Sequence, residues 1–397
     1  MKDTQCILAY TSLYVNPDGL VRPCCVADNF EEKLQWSDYD NVMDLLNSKQ
    51  FKKLREDMDN GITPKPCDIC FKKGNTLKDV WNNNWKEKFD DPELFNEDYS
   101  INKLQYLDVR FSNLCNFKCR MCGPTLSSSW LDDLIEIYGV GMNNLYSKHY
   151  KIGEDPVNKF SDEDLNYIEH LYIAGGEPFI NEDVFKLIDR FSEDQAKNIN
   201  VYINSNLSNL KYKQIDILEA LKKFKNVIIG CSCDGYGKVG EFQRTGFISE
   251  KFFDNIKKIA DFNLTHPNVN AEIEYTITMM NVFHTFDFID YVLDNNYTKK
   301  DLIHIHWATT PYWFAVGAAP TEFKNKVIDY INENLSKKEY YSKTVSIMND
   351  FINHLKIDSS IIRGNQTKND LKEYLEKLDS MRNTDYKEIC PWIEIMF

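Results

Sequence analysis

The sequence has no apolar run long enough to cross a membrane. No span of about 18 consecutive apolar residues occurs, and residues 1–6 begin no apolar segment of signal-peptide length. The formal net charge of −14 disfavours binding to nucleic acid or to an anionic membrane surface. We therefore expect a cytoplasmic protein with no nucleic-acid partner and no membrane partner.

Cysteine is unevenly distributed along the chain. The 397 residues include 11 cysteines, and eight of these lie before residue 123. Because disulfides are rare in the cytosol, this number of cysteines is better explained by metal or redox chemistry. Hydrophobic residues make up 43% of the chain, which is enough for a packed core. The length allows one large domain and a smaller one.

Three cysteines lie within eight residues, after the apolar segment 104–111. They are Cys115, Cys119 and Cys122, with three and then two residues between them. Thiolate is the soft ligand that binds iron–sulfur clusters and zinc. Three cysteines leave one iron of a four-iron cluster open to an outside ligand, as a catalytic metal keeps an open position. The alternatives are a zinc knuckle or three reduced structural thiols.

The spacing of this triplet closely resembles that of the radical S-adenosylmethionine (SAM) enzymes. The resemblance implies that the three cysteines hold a [4Fe–4S] cluster whose open iron binds SAM. It also implies that reduction cleaves SAM to a 5′-deoxyadenosyl radical, and that a flavodoxin- or ferredoxin-type protein donates the electron. The fold that it implies is α/β, with a partial (β/α)6 barrel of the TIM type.

A second cysteine pattern occupies residues 1–75. The tetrapeptide Asn16-Pro-Asp-Gly19 predicts the turn of a β-hairpin, which would bring Cys6 near Cys24. Apolar residues at helical spacing predict a helix over 41–60 that returns the chain to a Cys-x2-Cys pair. The four thiolates gathered in this way belong to Cys6, Cys24, Cys67 and Cys70.

This arrangement resembles the twitch domain, a shortened SPASM domain that holds an auxiliary [4Fe–4S] cluster in radical SAM enzymes. Here the module precedes the barrel, whereas it usually follows it. Two alternatives remain open. Cys25 adjoins Cys24, so either thiol of that pair is a candidate ligand. A structural zinc site with four cysteines would also fit the spacing.

From about residue 103 to 320, apolar strands alternate with amphipathic helices. This alternation predicts parallel strands with right-handed crossovers, and the active site of a barrel of this type lies at the carboxyl ends of its strands. The predicted strands are 104–111, 168–174, 199–204, 226–233, 271–278 and 302–308. The predicted helices are 126–137, 182–192, 213–223, 251–262, 284–295 and one after 321. The predicted domains are 1–75 for the auxiliary cluster, 76–102 as a connection, 103–320 as the barrel, and 321–397 as a C-terminal helical extension.

Short motifs follow three of the predicted strands. Gly175-Gly-Glu-Pro178 resembles the family's GGEP motif, which holds the amino group of SAM, although alone it would also suit a tight turn. The third strand ends in Asn204-Ser-Asn206, where the family often presents polar side chains to the ribose or carboxylate of SAM; an Asx turn or a helix cap is the alternative. The segment from Ser232 to Arg244 resembles a Ser-x-Asp-Gly…Arg segment of SPASM and twitch enzymes, which implies that Ser232 and Arg244 contact the SAM carboxylate, while Asp234 between them would only shape a turn. The residues assigned to SAM are Gly175, Gly176, Glu177, Pro178, Asn204, Ser232 and Arg244.

The remaining candidate ligands have simpler explanations. Cys231 and Cys233 share one face of a strand, and we interpret both as packing residues. His304 and His306 also share a strand face. Because no third ligand is evident, we expect them to line the barrel or contact substrate, with a metal as the alternative. We expect Cys390 to be a buried thiol, with a further ligand of the auxiliary cluster as the alternative.

Taken together, these motifs predict a radical SAM enzyme of the oxidoreductase or maturase type. Its cofactors would be SAM and two [4Fe–4S] clusters, one binding SAM and one relaying electrons. The predicted reaction is oxidative modification or cross-linking of a peptide or protein side chain. One alternative is a dehydrogenase of a small alcohol, such as a sugar or cyclitol. A more distant alternative is a non-catalytic iron–sulfur or zinc protein that acts as a sensor or scaffold.

Overall fold

The protein is described by a computed structural model that covers residues 2–72, 76–298, 302–357 and 361–397. The strands, in chain order, are β1 (Ser12–Val15), β2 (Leu20–Arg22), β3 (Leu34–Gln35), β4 (Tyr106–Val109), β5 (Lys118–Cys119), β6 (His170–Ile173), β7 (Asn200–Ser205), β8 (Lys211–Tyr212), β9 (Ile215–Asp216), β10 (Asn226–Ser232), β11 (Arg244–Thr245), β12 (Val269–Ile277) and β13 (Ile303–Trp307).

The α-helices are interspersed with these strands and dominate the C-terminal part of the chain. In chain order they are α1 (Leu8–Thr11), α2 (Val42–Leu46), α3 (Lys49–Asp59), α4 (Asp68–Lys72), α5 (Leu77–Asn84), α6 (Leu131–Tyr138), α7 (Asp162–Asn166), α8 (Glu182–Arg190), α9 (Glu193–Ala196), α10 (Ile217–Leu221), α11 (Gly237–Gln243), α12 (Ser249–Asn263), α13 (Thr285–Asp294), α14 (Thr321–Lys337), α15 (Ser342–Lys356), α16 (Ile361–Arg382) and α17 (Tyr386–Ile389). In the described ranges, no helix is both long enough and apolar enough to span a membrane.

The described chain divides into two compact units, and the division falls within strands β7 and β10. The first unit comprises Met1–Cys115, His149–Asn204 and Lys211–Ile228. The second comprises Asn116–Lys148, Ser205–Leu210 and Ile229–Phe397. The domain boundaries predicted at 75, 102 and 320 stay predictions.

The first unit is built on a mixed sheet with the order β3-β2-β1-β4-β6-β7. Strands β1, β4, β6 and β7 are parallel, and β2 and β3 continue the sheet antiparallel. All four residues of β1 are buried, which is typical of a strand that is covered on both faces. The N-terminal hairpin therefore extends the same sheet as the strand that leads to Cys115.

The hairpin forms at the predicted turn. The Asn16 N–H donates to the Leu20 carbonyl at 2.9 Å, and Gly19 adopts the positive φ of +82° that the turn requires. The helix that follows differs from the prediction, because the segment 41–60 forms two helices, α2 and α3, rather than one. Helix α2 ends at Leu46, and Ser48, the residue before α3, has an extended ψ of 160°.

Two of the predicted helices of the barrel region also differ from the structure. The segment 213–223 is helical only over α10, because the short hairpin of β8 and β9 occupies its start. The segment 126–137 becomes helical only at Leu131.

The second unit contains a parallel pair, β12 and β13, and most of the long helices. The register places Glu274 beside His304 and Thr276 beside His306. Helix α12 buries Phe252, Ile256 and Ile259, which recur at helical spacing. The described chain therefore has a mixed α/β fold with a central parallel sheet.

Candidate functional site

Three of the sequence motifs lie at one edge of the first unit's sheet. Cys115 follows β4, the segment 175–178 follows β6, and Asn204 is the last residue but one of β7. Since these strands are parallel, their carboxyl ends meet at the same edge. The sequence therefore brings a cysteine, a glycine pair and an amide side chain to one side of the sheet.

The two glycines of the GGEP motif are needed for close packing against the chain that leads into Cys115. Gly176 has a φ of +57°, and a Cβ added there would lie 2.3 Å from the Leu114 carbonyl oxygen. The Glu177 N–H donates to that same oxygen at 2.7 Å. In the first unit, the backbone at Leu114 approaches Gly176, and the Arg110 side chain approaches Gly175. The motif thus fixes the position of the backbone just before Cys115.

Glu177 and Asn204 present buried acceptor atoms near this edge. The side chain of Glu177 is buried, and its Oε1 accepts a hydrogen bond from the Phe179 N–H at 3.0 Å. The Nδ2 of Asn204 donates to the Tyr172 hydroxyl. Within the described part of the chain, the buried Oδ1 of Asn204 has no hydrogen-bond partner. A buried acceptor without a donor is costly, so this atom fits a bound group that donates to it.

In the second unit, Cys119 and Arg244 lie side by side on a two-stranded sheet. Strands β5 and β11 pair Cys119 with Arg244, and the Nη1 atom of Arg244 lies 4.0 Å from the Cys119 sulfur. The Nε of Arg244 donates to Asp234 Oδ2 at 2.6 Å, while Asp234 Oδ1 accepts from the Thr276 N–H at 2.9 Å. Asp234 is fully buried, so it holds the guanidinium in a fixed orientation.

Burial and neighbouring charges shift the pKa values of both Arg244 and Cys119. Burial alone would lower the pKa of Arg244, but the Asp234 carboxylate and the Cys119 sulfur raise it above its usual value. Burial raises the pKa of the Cys119 thiol, and Arg244 opposes that rise. The guanidinium therefore stays positively charged next to a sulfur that a bound metal would convert to thiolate.

Asn206, two residues after Asn204, adopts the Asx turn that the sequence left as an alternative for this segment. Its Oδ1 accepts from the Ser208 N–H at 2.9 Å, and its Nδ2 donates to Asn116 Oδ1 at 2.9 Å. Asn116 in turn donates to the Ser208 hydroxyl at 3.0 Å. This network in the second unit orients the residue that follows Cys115 in the chain.

The four N-terminal cysteines of the second pattern surround one pocket of the first unit. Cys6 precedes α1, Cys24 follows the hairpin, and Cys67 and Cys70 lie around the start of α4. The pocket is otherwise lined mainly by apolar side chains, including Leu8, Ala9, Met58, Ile69, Phe71 and Leu77. Burial, together with the neighbouring cysteine sulfurs, raises the pKa of Cys24 to about 12 and that of Cys67 well above its usual range.

The structure distinguishes Cys24 from Cys25. Cys24 lines the pocket, and Cys6 and Cys70 contribute to its electrostatic environment. Cys25 is exposed and does not line the pocket. Besides Cys24, the charged groups near Cys25 are Asp108 and Arg110. The geometry therefore favours Cys24 over Cys25 as the fourth thiol of the group.

Comparison with known protein families agrees with both cysteine patterns. Residues 109–290 match the radical SAM superfamily. The chain contains a radical SAM domain. Residues 6–71 match the SPASM iron–sulfur cluster-binding domain. A radical SAM domain implies an enzyme that uses SAM and a [4Fe–4S] cluster, and the SPASM-type domain implies an auxiliary iron–sulfur cluster.

Solved structures that match part of this chain have low sequence identity to it. A structure of native anSMEcpe with bound AdoMet and the Cp18Cys peptide is 16% identical, with a TM-score of 0.36, and the match covers 61% of this chain and 63% of that one. Streptococcus suis SuiB bound to S-adenosylmethionine is 13% identical, with a TM-score of 0.36, and the match covers 77% of this chain and 67% of that one. The chain thus spans less than two thirds of the length of anSMEcpe. No curated protein sequence matches this chain.

Several candidate residues lie outside these sites. Cys231, Cys233 and Cys390 are fully buried in the second unit, as packing thiols would be. Ser232 ends β10 and is partly exposed.

From the sequence, Asp234 was expected only to shape a turn. The structure shows that it also holds Arg244 of the radical SAM domain, a role that the Asp…Arg spacing alone does not reveal.

Proposed function

We propose that the protein is a radical SAM enzyme with two [4Fe–4S] clusters, which removes hydrogen from its substrate and uses the auxiliary cluster as an electron relay. The observation that carries this proposal is the set of four thiols around one apolar pocket, in the same chain as a radical SAM domain. A cluster held by four cysteines has no open iron, so it suits electron transfer better than binding of substrate.

We assign one group of cysteines to each cluster. The catalytic cluster would be held by Cys115, Cys119 and Cys122, and the auxiliary cluster by Cys6, Cys24, Cys67 and Cys70. When bound, SAM and its cluster supply a one-electron reductive cleavage that yields the hydrogen-abstracting 5′-deoxyadenosyl radical. A flavodoxin- or ferredoxin-type protein is the proposed electron donor.

The residues near the carboxyl ends of the strands would bind and orient SAM. Glu177 offers a buried carboxylate for the ammonium group, next to Gly175, Gly176 and Pro178, which set the turn. Asn204 offers the acceptor Oδ1, which has no donor within the described chain. Arg244 would bind the SAM carboxylate, near Ser232. Asp234 accepts from the Nε of Arg244 and so leaves the terminal nitrogens for that carboxylate.

The surroundings of the auxiliary pocket would keep water from the cluster. Leu8, Met58 and Leu77 are among the apolar side chains that line the pocket. Hydrogen bonding and solvent exposure are two of the factors that set the reduction potential of an iron–sulfur cluster.

All six strands predicted for residues 103–320 are present, and this supports the partial (β/α)6 barrel as the fold of the catalytic part.

We propose a peptide or protein side chain as the substrate, modified by oxidation or cross-linking. The SPASM-type module supports this class, because enzymes with such modules most often mature peptides. The test is to reconstitute the enzyme without oxygen, reduce it, and add SAM with peptides encoded beside its gene. We expect 5′-deoxyadenosine and a peptide that has lost hydrogen. Turnover with a sugar or cyclitol but with no peptide would contradict the substrate, and no 5′-deoxyadenosine with any of them would contradict the enzyme.

A further inference from the structure

Two glutamates and two histidines form a ladder of polar side chains on β12 and β13 of the second unit. Glu272 and Glu274 alternate with Ile273 and Tyr275, which are buried on the opposite face of β12. His304 and His306 alternate in the same way with buried Ile303 and Ile305 on β13. The four side chains that share the open face, called the Glu–His ladder below, are Glu272, Glu274, His304 and His306.

The ladder is held together by contacts between the two strands. The Nε2 of His304 lies 2.9 Å from Glu272 Oε2, and the Nε2 of His306 lies 2.8 Å from Glu274 Oε2. Ligand atoms of Glu272, Glu274 and His304 all lie within 4.8 Å of one another. No further ligand for the two histidines is evident from the sequence, and in the structure strand β12 places two carboxylates beside His304, those of Glu272 and Glu274.

We propose that Glu272, Glu274 and His304 form a binding site for a divalent transition-metal ion. Metal–ligand bonds of about 2.0–2.2 Å place donor atoms up to about 4.3 Å apart, so small side-chain rotations would bring these three to one ion. One imidazole and two carboxylates are borderline and hard donors, which suit Mn²⁺, Fe²⁺, Co²⁺ or Zn²⁺. A thiol-bound cluster requires different ligands, so this site is separate from both cysteine groups.

The ladder is open enough to admit an ion, and its strand β12 is hydrogen-bonded to Cys233 and Asp234, which follow Ser232 in the chain. The side chain of His304 is 30% exposed and that of Glu272 is 12% exposed. The Glu274 carbonyl accepts from the Cys233 N–H at 2.9 Å. Thr276, on the same strand as Glu274, donates its N–H to Asp234 Oδ1. Three protein ligands leave open positions on an ion, so a water or an oxygen atom of a bound molecule would complete its coordination.

Titration with Mn²⁺ tests the site without requiring any enzymatic turnover. Mn²⁺ prefers oxygen and imidazole to thiolate, so the cysteines compete poorly for it. The protein would be reconstituted with its clusters, kept oxidised, and titrated while the electron paramagnetic resonance signal of free Mn²⁺ is recorded. We expect saturable binding of one ion. Glu272→Gln/Glu274→Gln and, separately, His304→Asn should each weaken it by at least about tenfold.

The matched control is Glu322→Gln/Glu333→Gln, which removes two carboxylates from helix α14, where they pair with Lys326 and Lys337. This control should bind Mn²⁺ as the wild type does. Equal binding by the wild type and both ladder variants would overturn the proposal, as would the absence of saturable binding to the wild type. In either case the ladder is two Glu–His hydrogen bonds and no more. If the double variant does not fold, the His304→Asn variant alone decides the question.

Discussion

Arg120, between two cysteines of the radical SAM domain, donates from Nη2 to Asp379 Oδ1 of helix α16 at 2.6 Å. The guanidinium is fully buried, and its Nε also donates to the Phe242 carbonyl at 2.9 Å. The Tyr374 hydroxyl of the same helix donates to the Arg120 carbonyl at 2.8 Å. The C-terminal extension, for which the sequence predicted little chemistry, therefore holds the segment that carries Cys119.

Asp379→Asn should destabilise the protein strongly, because it leaves the Arg120 charge buried without its partner. Removing one partner of a buried ion pair costs about 3–5 kcal/mol. Chemical denaturation of the cluster-free protein would measure the loss in the free energy of unfolding. The control is Glu388→Gln, which breaks an exposed pair with Lys238, and it should change this free energy by less than about 1 kcal/mol. Equal effects of the two variants would show that Arg120 does not depend on Asp379.

Gly176→Ala should prevent assembly of the catalytic cluster and leave the auxiliary cluster in place. The added Cβ would lie 2.3 Å from the Leu114 carbonyl oxygen, so the backbone before Cys115 would have to move. Gly61→Ala is the matched control, since Gly61 also has a positive φ, of +77°, but nothing lies within 4 Å of its added Cβ. Iron analysis should show a loss of about four irons per chain only in Gly176→Ala. A full iron content in that variant would contradict the account.

Cys24→Ala and Cys25→Ala should differ in their effect on the auxiliary cluster. Cys24 lines the pocket with three other thiols, whereas Cys25 lies outside it. Mössbauer spectroscopy of the reconstituted proteins should therefore show one cluster in Cys24→Ala and two in Cys25→Ala. The reverse result would make Cys25 the ligand.

Asp234→Asn should weaken SAM binding without loss of iron. The asparagine Oδ1 can still accept from the Thr276 N–H, but its amide nitrogen would face the Nε of Arg244, which is also a donor. Arg244 would then lose its fixed orientation, and we expect the Kd for SAM to rise about 10- to 100-fold, as for other orienting residues. Asp261→Asn, at an exposed position of α12, is the control and should leave the Kd unchanged. An unchanged Kd in Asp234→Asn would remove this orienting role.

Local patterns predicted the elements of the fold well. The apolar segments 104–111 and 168–174 became β4 and β6, because a buried parallel strand has a continuous apolar sequence. The turn at Gly19 depends only on neighbouring residues and formed where expected. The break between α2 and α3 was missed, because apolar spacing continues through Asn47 and Ser48 even though the helix does not.

Contacts between distant parts of the chain were not predictable from one sequence. The parallel pairing of β1 with β4 joins residues about 90 positions apart, and no local signal specifies it. The same holds for Glu272 beside His304 and for Asp379 beside Arg120. The cysteine groups were recognisable because their spacing along the chain is itself characteristic, whereas their partners depend on tertiary packing.

The iron content of the wild-type protein tests the central claim most directly. After anaerobic reconstitution we expect about eight irons per chain, and 5′-deoxyadenosine when reductant and SAM are added. The triple variant Cys115→Ala/Cys119→Ala/Cys122→Ala should retain about four irons and form no 5′-deoxyadenosine. About four irons and one zinc in the wild-type protein would contradict the two-cluster account, since the N-terminal thiols would then hold zinc and relay no electrons.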